Sequence, residues 1–232
     1  MEVENALKEG IQLYNRGNYS SALSFFLSLP EDCGSDPVEV AYYLGLSYAR
    51  LKRYDDALVY LEQVVTSRSR EESAKRTERV LQCRYALAVI YCMSGRRKLA
   101  DFELKKLLET GYNPAEVYSS LAYVAWENGE VDESIDYYNK ALSSDENCPT
   151  ALNGLGYVLA SRERDLTRAL GLCKRAVDLQ GQNAACLDSL GYVYLKMGLF
   201  AEARKYFLQA GAADPDNRII ALHLKEAEEG QE

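Results

Sequence analysis

The chain of 232 residues contains a single histidine, His223, near its C-terminal end. A histidine-based catalytic triad elsewhere in the chain is therefore excluded, and no glycine-rich phosphate loop, G-x-S-x-G or H-E-x-x-H motif occurs. The six cysteines form no C-x-x-C pair, so a zinc site has no support. These absences indicate a protein without a catalytic centre, a cofactor or a metal.

Long apolar segments are absent as well. No run approaches the length of a membrane span, and the opening Met-Glu-Val-Glu-Asn is acidic, unlike a secretory signal. Cys173 occupies an apolar position of the pattern described below, which favours unpaired thiols in a reducing compartment. We therefore expect a cytoplasmic protein that does not insert into membranes. A periplasmic or membrane-associated location is the alternative if a leader has been removed.

The charge balance is acidic, with a net charge of −8 and an isoelectric point near 5.0. Nucleic acid is therefore not an expected partner, because binding a phosphate backbone requires a positive surface. A local basic cluster nevertheless comprises Arg68, Arg70, Lys75, Arg76 and Arg79. Its ordinary interpretation is a solvated helix face with ion pairs between successive turns. The alternative is a second contact surface for an acidic partner.

The main positive feature is a recurrence of two small residues twelve or thirteen positions apart, followed four positions later by a larger side chain. The first small residues are Gly10, Gly45, Ala88, Ala122, Gly156 and Gly191, and the second are Ala22, Ala57, Ala100, Ser134, Ala169 and Ala203. Two helices approach closely only where the side chains at the contact are small. The spacing therefore predicts six stacked helix-turn-helix units.

The sixth copy carries the fullest motif, which reads Leu187-x-x-Leu190-Gly191-x-x-Tyr194 and continues with Gly198, Phe200, Ala203, Phe207, Ala210 and Pro215. On this motif the chain resembles the tetratricopeptide repeat (TPR) family, and the C-terminal copies look like those of bacterial TPR proteins. The resemblance covers almost the whole chain. It implies an all-α, right-handed superhelical solenoid of six TPR-like repeats and a C-terminal capping helix, which acts as a protein-binding scaffold.

We predict one TPR domain over residues 1–232. Its repeats span about 3–36, 38–71, 81–114, 115–148, 149–183 and 184–217, and the capping helix spans 218–229. About nine extra residues separate the second and third copies, and no Gly or Pro occurs between Leu46 and Ser94. We expect this insertion to lengthen both flanking helices into an extended helical hairpin over about 66–80, with its turn near Ser67 to Ser73.

The resemblance also implies a concave face lined by the first helix of each repeat. The inner-face residues predicted to bind a partner are Tyr42, Tyr85, Tyr123, Trp126, Asn153, Tyr157, Asp188 and Tyr192. Tyrosine and tryptophan are enriched in protein interfaces, and Asp188 and Glu127 would attract positive charge. We therefore expect an apolar, aromatic or mildly basic partner segment, because the Lys, Arg and Asn of a carboxylate clamp are missing. The ordinary alternative is that the tyrosines merely pad the inner wall.

The sequence is compatible with three functions from different classes. The first is a non-catalytic adaptor for a partner segment, and the bacterial resemblance suggests an envelope, secretion or motility assembly. The second is a structural component that self-associates within a larger complex. An enzyme is the third, and the sequence gives it the least support.

Overall fold

The computed structural model of the protein describes residues 7–30, 34–67 and 73–230. Within these ranges the chain forms thirteen α-helices and no β-strand, as the sequence predicts. The helices are α1 (Lys8–Asn15), α2 (Tyr19–Leu27), α3 (Pro37–Arg50), α4 (Tyr54–Thr66), α5 (Ala74–Met93), α6 (Arg97–Thr110), α7 (Pro114–Glu127), α8 (Val131–Ser144), α9 (Pro149–Ser161), α10 (Leu166–Gln180), α11 (Ala184–Lys196), α12 (Phe200–Ala213) and α13 (Arg218–Glu229). The first twelve form six pairs, and α13 follows alone.

The first helix of most pairs begins at a residue that suits a helix N-terminus. Pro37, Pro114 and Pro149 each open a helix, where the missing amide proton of proline costs no hydrogen bond. The side chain of Asn183 accepts hydrogen bonds from two backbone amides of α11, at 3.0 and 3.2 Å. Asn217 accepts one from α13 in the same way. These caps fix the starts of α13 and of the first helices of the pairs, which we call the inner helices.

The turns within the pairs require a left-handed backbone conformation. Gly17, Gly95, Gly129 and Gly198 adopt it, with φ between 71° and 81°. Lys52 and Glu163 occupy the same place in the second and fifth pairs, with φ of 59° and 51°. A side chain at such an angle is disfavoured, so the packing of the helices holds these two turns in shape.

The recurring small residues are the points where the helices of a pair touch. A Cβ atom added to Gly191 would lie 2.7 Å from ring atoms of Phe207, and one added to Gly156 would overlap the sulfur of Cys173. The second set of small residues, from Ala22 to Ala203, is completely buried. Close helix contact therefore explains the sequence spacing.

The described chain falls into two compact units, divided between Tyr112 and Asn113. The first unit contains α1–α6 and the second contains α7–α13. Gly111 and Asn113 both have positive φ at the division, and Pro114 then opens α7. The sequence predicts one domain over the whole chain and gives no sign of this division.

Within each unit, every first helix contacts the first helix of the next pair as well as its own partner. In the second unit α7 contacts α9, α9 contacts α11, and α11 contacts α13. Because α13 packs on both α11 and α12, it takes the position that the first helix of a further pair would take. The core of this unit includes Leu155, Leu190 and Phe207.

The insertion lengthens one flanking helix only. Helix α5 has 20 residues, whereas α4 ends at Thr66 after an ordinary 13, so the expected lengthening of α4 is wrong. Arg76 explains this end, because its guanidinium donates hydrogen bonds to the carbonyl and the hydroxyl oxygen of Ser67, at 3.1 and 2.8 Å. Residues 68–72, at the centre of the predicted turn, lie outside the described residues.

Candidate functional site

Four aromatic side chains from four helices of the second unit form a continuous row. The ring centroids of Trp126 on α7 and Tyr157 on α9 are 6.1 Å apart, and the rings are nearly perpendicular, at 85°. The Tyr157 ring lies 5.1 Å from that of Tyr192 on α11, which lies 4.9 Å from the imidazole of His223 on α13. All four side chains are partly exposed. We call these four residues the aromatic row.

The repeat spacing explains why the tyrosines of the row meet. Tyr157 and Tyr192 directly follow Gly156 and Gly191, whose backbones contact the second helix of their pair. One residue further along an α-helix is a rotation of about 100°, which turns each tyrosine away from that contact. Because α9 and α11 also contact each other, the two tyrosines meet between successive inner helices.

Asp188 forms a hydrogen bond with the histidine of the last helix. Its Oδ1 lies 2.9 Å from Nδ1 of His223, and the side chains of Asp188 and His223 are each 13% exposed. The sequence predicts Asp188 as a partner-binding residue that attracts positive charge. In the structure this carboxylate is largely buried and already has a partner within the chain.

Two other predicted residues lie one turn before members of the row. Tyr123 precedes Trp126 on α7 and is 45% exposed. Asn153 precedes Tyr157 on α9, and its Oδ1 atom is buried without a hydrogen-bond partner in the described part of the chain.

Burial raises the pKa of the Tyr157 hydroxyl, and the nearby Tyr192, Asp188 and Glu127 raise that pKa further. The Tyr157 hydroxyl therefore stays protonated and can donate a hydrogen bond.

Two cations lie over rings of the row. The guanidinium carbon of Arg162, just after α9, is 5.4 Å from the Trp126 ring centroid. The ammonium nitrogen of Lys196, at the end of α11, is 5.2 Å from the Tyr192 ring centroid. Both distances fit cation–π contacts. Two positively charged side chains therefore lie against the aromatic row.

The two predicted residues of the first unit are engaged within it. The Tyr42 hydroxyl donates a hydrogen bond to Oε1 of Gln82, and the Arg79 guanidinium lies 5.3 Å above the Tyr42 ring. Burial raises the pKa of Tyr42. The Tyr85 ring lies 6.4 Å from that of Tyr112. Both predicted residues of the first unit therefore make contacts with other side chains of that unit.

The predicted basic surface is partly used in internal contacts. Arg79 forms an ion pair with Glu39 of α3 and is mostly buried, and Arg76 caps the end of α4. Lys75 is exposed and lies 3.7 Å from the same carboxylate of Glu39. Arg68 and Arg70 lie outside the described residues.

Sequence reasoning missed His223, although a signal for it exists. Asn153, Asp188 and His223 follow one another at intervals of 35 residues, which is the repeat spacing. The column of predicted inner-face residues that ends at Asp188 therefore continues into α13. Arg162 and Lys196 were missed because their contacts depend on the rotamers of long side chains, which spacing does not determine.

Other chemistry is sparse in the part of the chain that the structure describes. Its five cysteines are free thiols, and it contains no group of three or more His, Cys, Asp or Glu residues arranged to hold a metal ion. Cys33 lies outside that part. None of the described helices combines the length and the apolar character needed to cross a bilayer.

Comparison with known proteins identifies the repeat from which this architecture is built. A family model of the tetratricopeptide repeat matches residues 104–184, and two further models of the same repeat match residues 39–68 and 183–210. Together the three matches cover more than half of the chain.

Curated relatives match parts of the chain. A TPR repeat-containing protein of Pseudomonas aeruginosa is 40% identical over 76 residues, or 33% of this chain and 13% of that protein. The human protein O-mannosyl-transferase TMTC1 is 24% identical over 80% of this chain and 20% of its own length. The type IV pilus assembly protein PilF of P. aeruginosa is 27% identical over 60% of this chain and 55% of its own length. The matches thus span about half or less of each relative.

Solved structures share the fold at low sequence identity. One chain of the Cut9–Hcn1 hetero-tetramer of the APC/C matches 97% of this chain over 42% of its own length, with a TM-score of 0.76 and 16% identity. The PilF structure of P. aeruginosa covers 98% of this chain and 97% of its own, with a TM-score of 0.71 and 18% identity. The predicted all-α solenoid fold is confirmed by these likenesses, and the chain belongs to the tetratricopeptide-repeat family.

Proposed function

We propose that this protein is a non-catalytic scaffold that binds a segment of a partner protein along the aromatic row. The observation that carries the proposal is the contact series from Trp126 through Tyr157 and Tyr192 to His223. Partly exposed tyrosine and tryptophan rings offer a large apolar area with a polar tip, and such residues dominate binding energy in protein interfaces.

The row is also held in place before any partner arrives. Each ring rests on the next, and the hydrogen bond between His223 and Asp188 fixes its last member. A surface that is already ordered loses little conformational entropy on binding, so more of the contact energy appears as affinity. We expect the segment to be mainly apolar or aromatic where it meets the rings.

Membership of the tetratricopeptide-repeat family supports a protein-interaction scaffold. The name of PilF assigns that relative to type IV pilus assembly, and we propose an assembly role of this general kind, in an envelope, secretion or motility system. The match to the transferase TMTC1 covers only 20% of that protein and is 24% identical, so we do not extend the transferase activity to this chain, and the non-catalytic role is our proposal.

Affinity capture tests the proposal. Wild-type protein and a Tyr157→Ala/Tyr192→Ala variant are immobilised and exposed to extract of the cells that make the protein. We expect a partner to be retained by the wild type and lost by the variant, since each truncated contact residue costs roughly 1 to 3 kcal/mol. Tyr206→Ala is the matched control, because the Tyr206 ring stacks at 5.5 Å on Tyr194, which is not a member of the row. Identical retention by all three proteins would contradict the proposal.

Self-association is a second candidate function. On α13, Ile219 and Leu222 are 60% and 64% exposed, and they lie three residues apart on one helix face. An exposed apolar pair at this face favours contact with a second copy of the chain. Light scattering at increasing concentration tests it, with Ile219→Glu/Leu222→Glu as the variant. A monomer at every concentration would exclude this function.

A further inference from the structure

The two cations over the aromatic row point to the charge of the segment that binds there. Arg162 and Lys196 stand at the C-terminal ends of successive inner helices, α9 and α11. Each lies over a ring of the row, at 5.4 Å from Trp126 and 5.2 Å from Tyr192. Two inner helices thus each contribute a positive charge beside the row.

Neither cation is neutralised by an ion pair within the described chain. Nearby arginines of the same unit do have such partners, since Arg164 pairs with Asp132 at 2.6 Å and Arg204 lies 3.4 Å from Glu228. No carboxylate of the described residues lies within 4.0 Å of Arg162 or Lys196. A cation that rests on a ring face keeps N–H donors free for a carboxylate.

The acidic group expected to attract a basic segment is not available for that task. Asp188 is hydrogen-bonded to His223 and largely buried. Glu127 has an interaction of its own within the chain. Both carboxylates still raise the pKa of Tyr157, so negative charge lies nearest the centre of the row, where an apolar side chain is expected, and the two cations lie over the rings on either side of it.

Resting on the proposed function, we infer that the aromatic row binds an acidic segment in which two carboxylates flank an apolar or aromatic side chain. Arg162 and Lys196 are its two charge contacts. The chain as a whole has a net charge of −8, which opposes the approach of an acidic segment. Two local cations then determine position and register more than total affinity.

The ring spacing sets the distance between the acidic residues. Steps of 6.1 and 5.1 Å place the Trp126 and Tyr192 rings at most about 11 Å apart. An extended chain advances about 3.3 to 3.6 Å per residue, so three residues span this distance. The inference therefore specifies acidic residues three or four positions apart, with an apolar or aromatic residue between them that meets Tyr157.

Selection from a phage-displayed library of random 12-residue peptides tests this specificity. The wild type is compared with an Arg162→Glu/Lys196→Glu variant and with a Lys174→Glu/Lys205→Glu control. The control changes two lysines that lie over Tyr194 and Tyr206, outside the row. Thermal melting first establishes that all three proteins are folded.

We expect the wild type and the control to enrich peptides with Asp or Glu at the stated spacing, and the reversed variant to lose this enrichment. The most enriched peptide, labelled with a fluorophore, should bind the reversed variant about tenfold more weakly or worse. It should bind the control within about twofold of the wild type. Binding to the wild type should also weaken as salt rises from about 50 to 300 mM, because salt screens exposed charges.

Three results would overturn the inference. Selected peptides that require Tyr157 and Tyr192 but carry no acidic enrichment, or that bind the reversed variant equally well, would refute the charge preference and leave the proposed function intact. A wild-type dimer that dissociates on charge reversal would assign the row to a second copy of the chain. If no selected peptide depends on Tyr157 and Tyr192, the proposed function itself fails, and the inference fails with it.

Discussion

The Nδ1 atom of His223 on α13 lies 2.9 Å from the Oδ1 atom of Asp188 on α11. The same imidazole ring lies 4.9 Å from the ring of Tyr192 and 5.5 Å from that of Phe207 in the core. One side chain therefore joins the last helix, the aromatic row and the hydrophobic core. Because Asp188 is largely buried, its carboxylate depends on this hydrogen bond for a partner.

Two substitutions of His223 distinguish the contribution of its hydrogen bond to stability from that of its ring contacts. His223→Phe keeps an aromatic ring but leaves the buried Asp188 oxygen without its donor, so we expect a loss of roughly 1 to 3 kcal/mol in the free energy of unfolding. His223→Asn supplies an amide donor near the same place and should recover part of that loss. Urea unfolding measures both variants. Equal stability of His223→Phe and the wild type would show that the hydrogen bond contributes nothing.

The site could be predicted in part, because repeat spacing places residues on shared helix faces. Tyr157 and Tyr192 follow their small residues by one position, and this register predicts that they lie on one side of the inner helices. The same register reaches His223, which was not predicted because α13 carries no repeat motif. Arg162 was not predictable in this way, since its contact with Trp126 depends on the rotamer of a long side chain.

The insertion between the second and third repeats shows that the sequence pattern alone does not determine where a helix ends. The absence of Gly and Pro predicts continuous helix, and α5 is indeed extended. The end of α4 at Thr66 instead depends on a tertiary contact, the hydrogen bonds from Arg76 to Ser67. Likewise, Lys52 and Glu163 show that the turn can form without glycine when helix packing fixes it.

The helix contact at Gly191 provides a test of the packing. Gly191→Leu would drive a side chain into the completely buried ring of Phe207, since even a Cβ atom would lie 2.7 Å from it. Overpacking of this kind costs typically about 1 to 3 kcal/mol, and the melting temperature should fall accordingly. The matched change is Gly171→Ala on α10, where a Cβ atom meets nothing within 4 Å. That variant should be more stable by roughly 0.5 to 1 kcal/mol, because alanine favours helix over glycine. An unchanged melting curve for Gly191→Leu would contradict the assigned contact.

Buried thiols should make the fold sensitive to alkaline pH. Burial raises the pKa of Cys83 and of Cys173 from 9.0 to about 12. Above pH 9 the unfolded chain therefore releases these protons while the folded chain keeps them, so the stabilisation is complete below pH 9 and is lost as pH rises towards 12. Each thiol contributes at most about 1.4 kcal/mol per pH unit to the fall. Urea unfolding at pH 8, 9.5 and 10.5 measures the slope. Cys83→Ala should reduce that slope, and an identical slope in this variant would refute the assignment.

Replacing Asn153 should change the stability of the protein and its binding to a partner in different directions. Its Oδ1 atom is buried without a hydrogen-bond partner in the described part of the chain, which costs stability that a leucine of similar size does not. Asn153→Leu should therefore leave the free energy of unfolding unchanged or raise it by about 1 kcal/mol. It should weaken capture of the partner, because Asn153 lies one turn before Tyr157 on the helix that carries the centre of the row.

Ser47→Ala is the matched control for Asn153→Leu. The hydroxyl oxygen of Ser47 is likewise buried without a partner among the described residues, but it belongs to the first unit. Its removal should preserve stability and leave partner capture unchanged. If both variants bind the partner like the wild type, Asn153 does not contribute to binding, and the binding energy has to come from the aromatic rings and the two cations beside them.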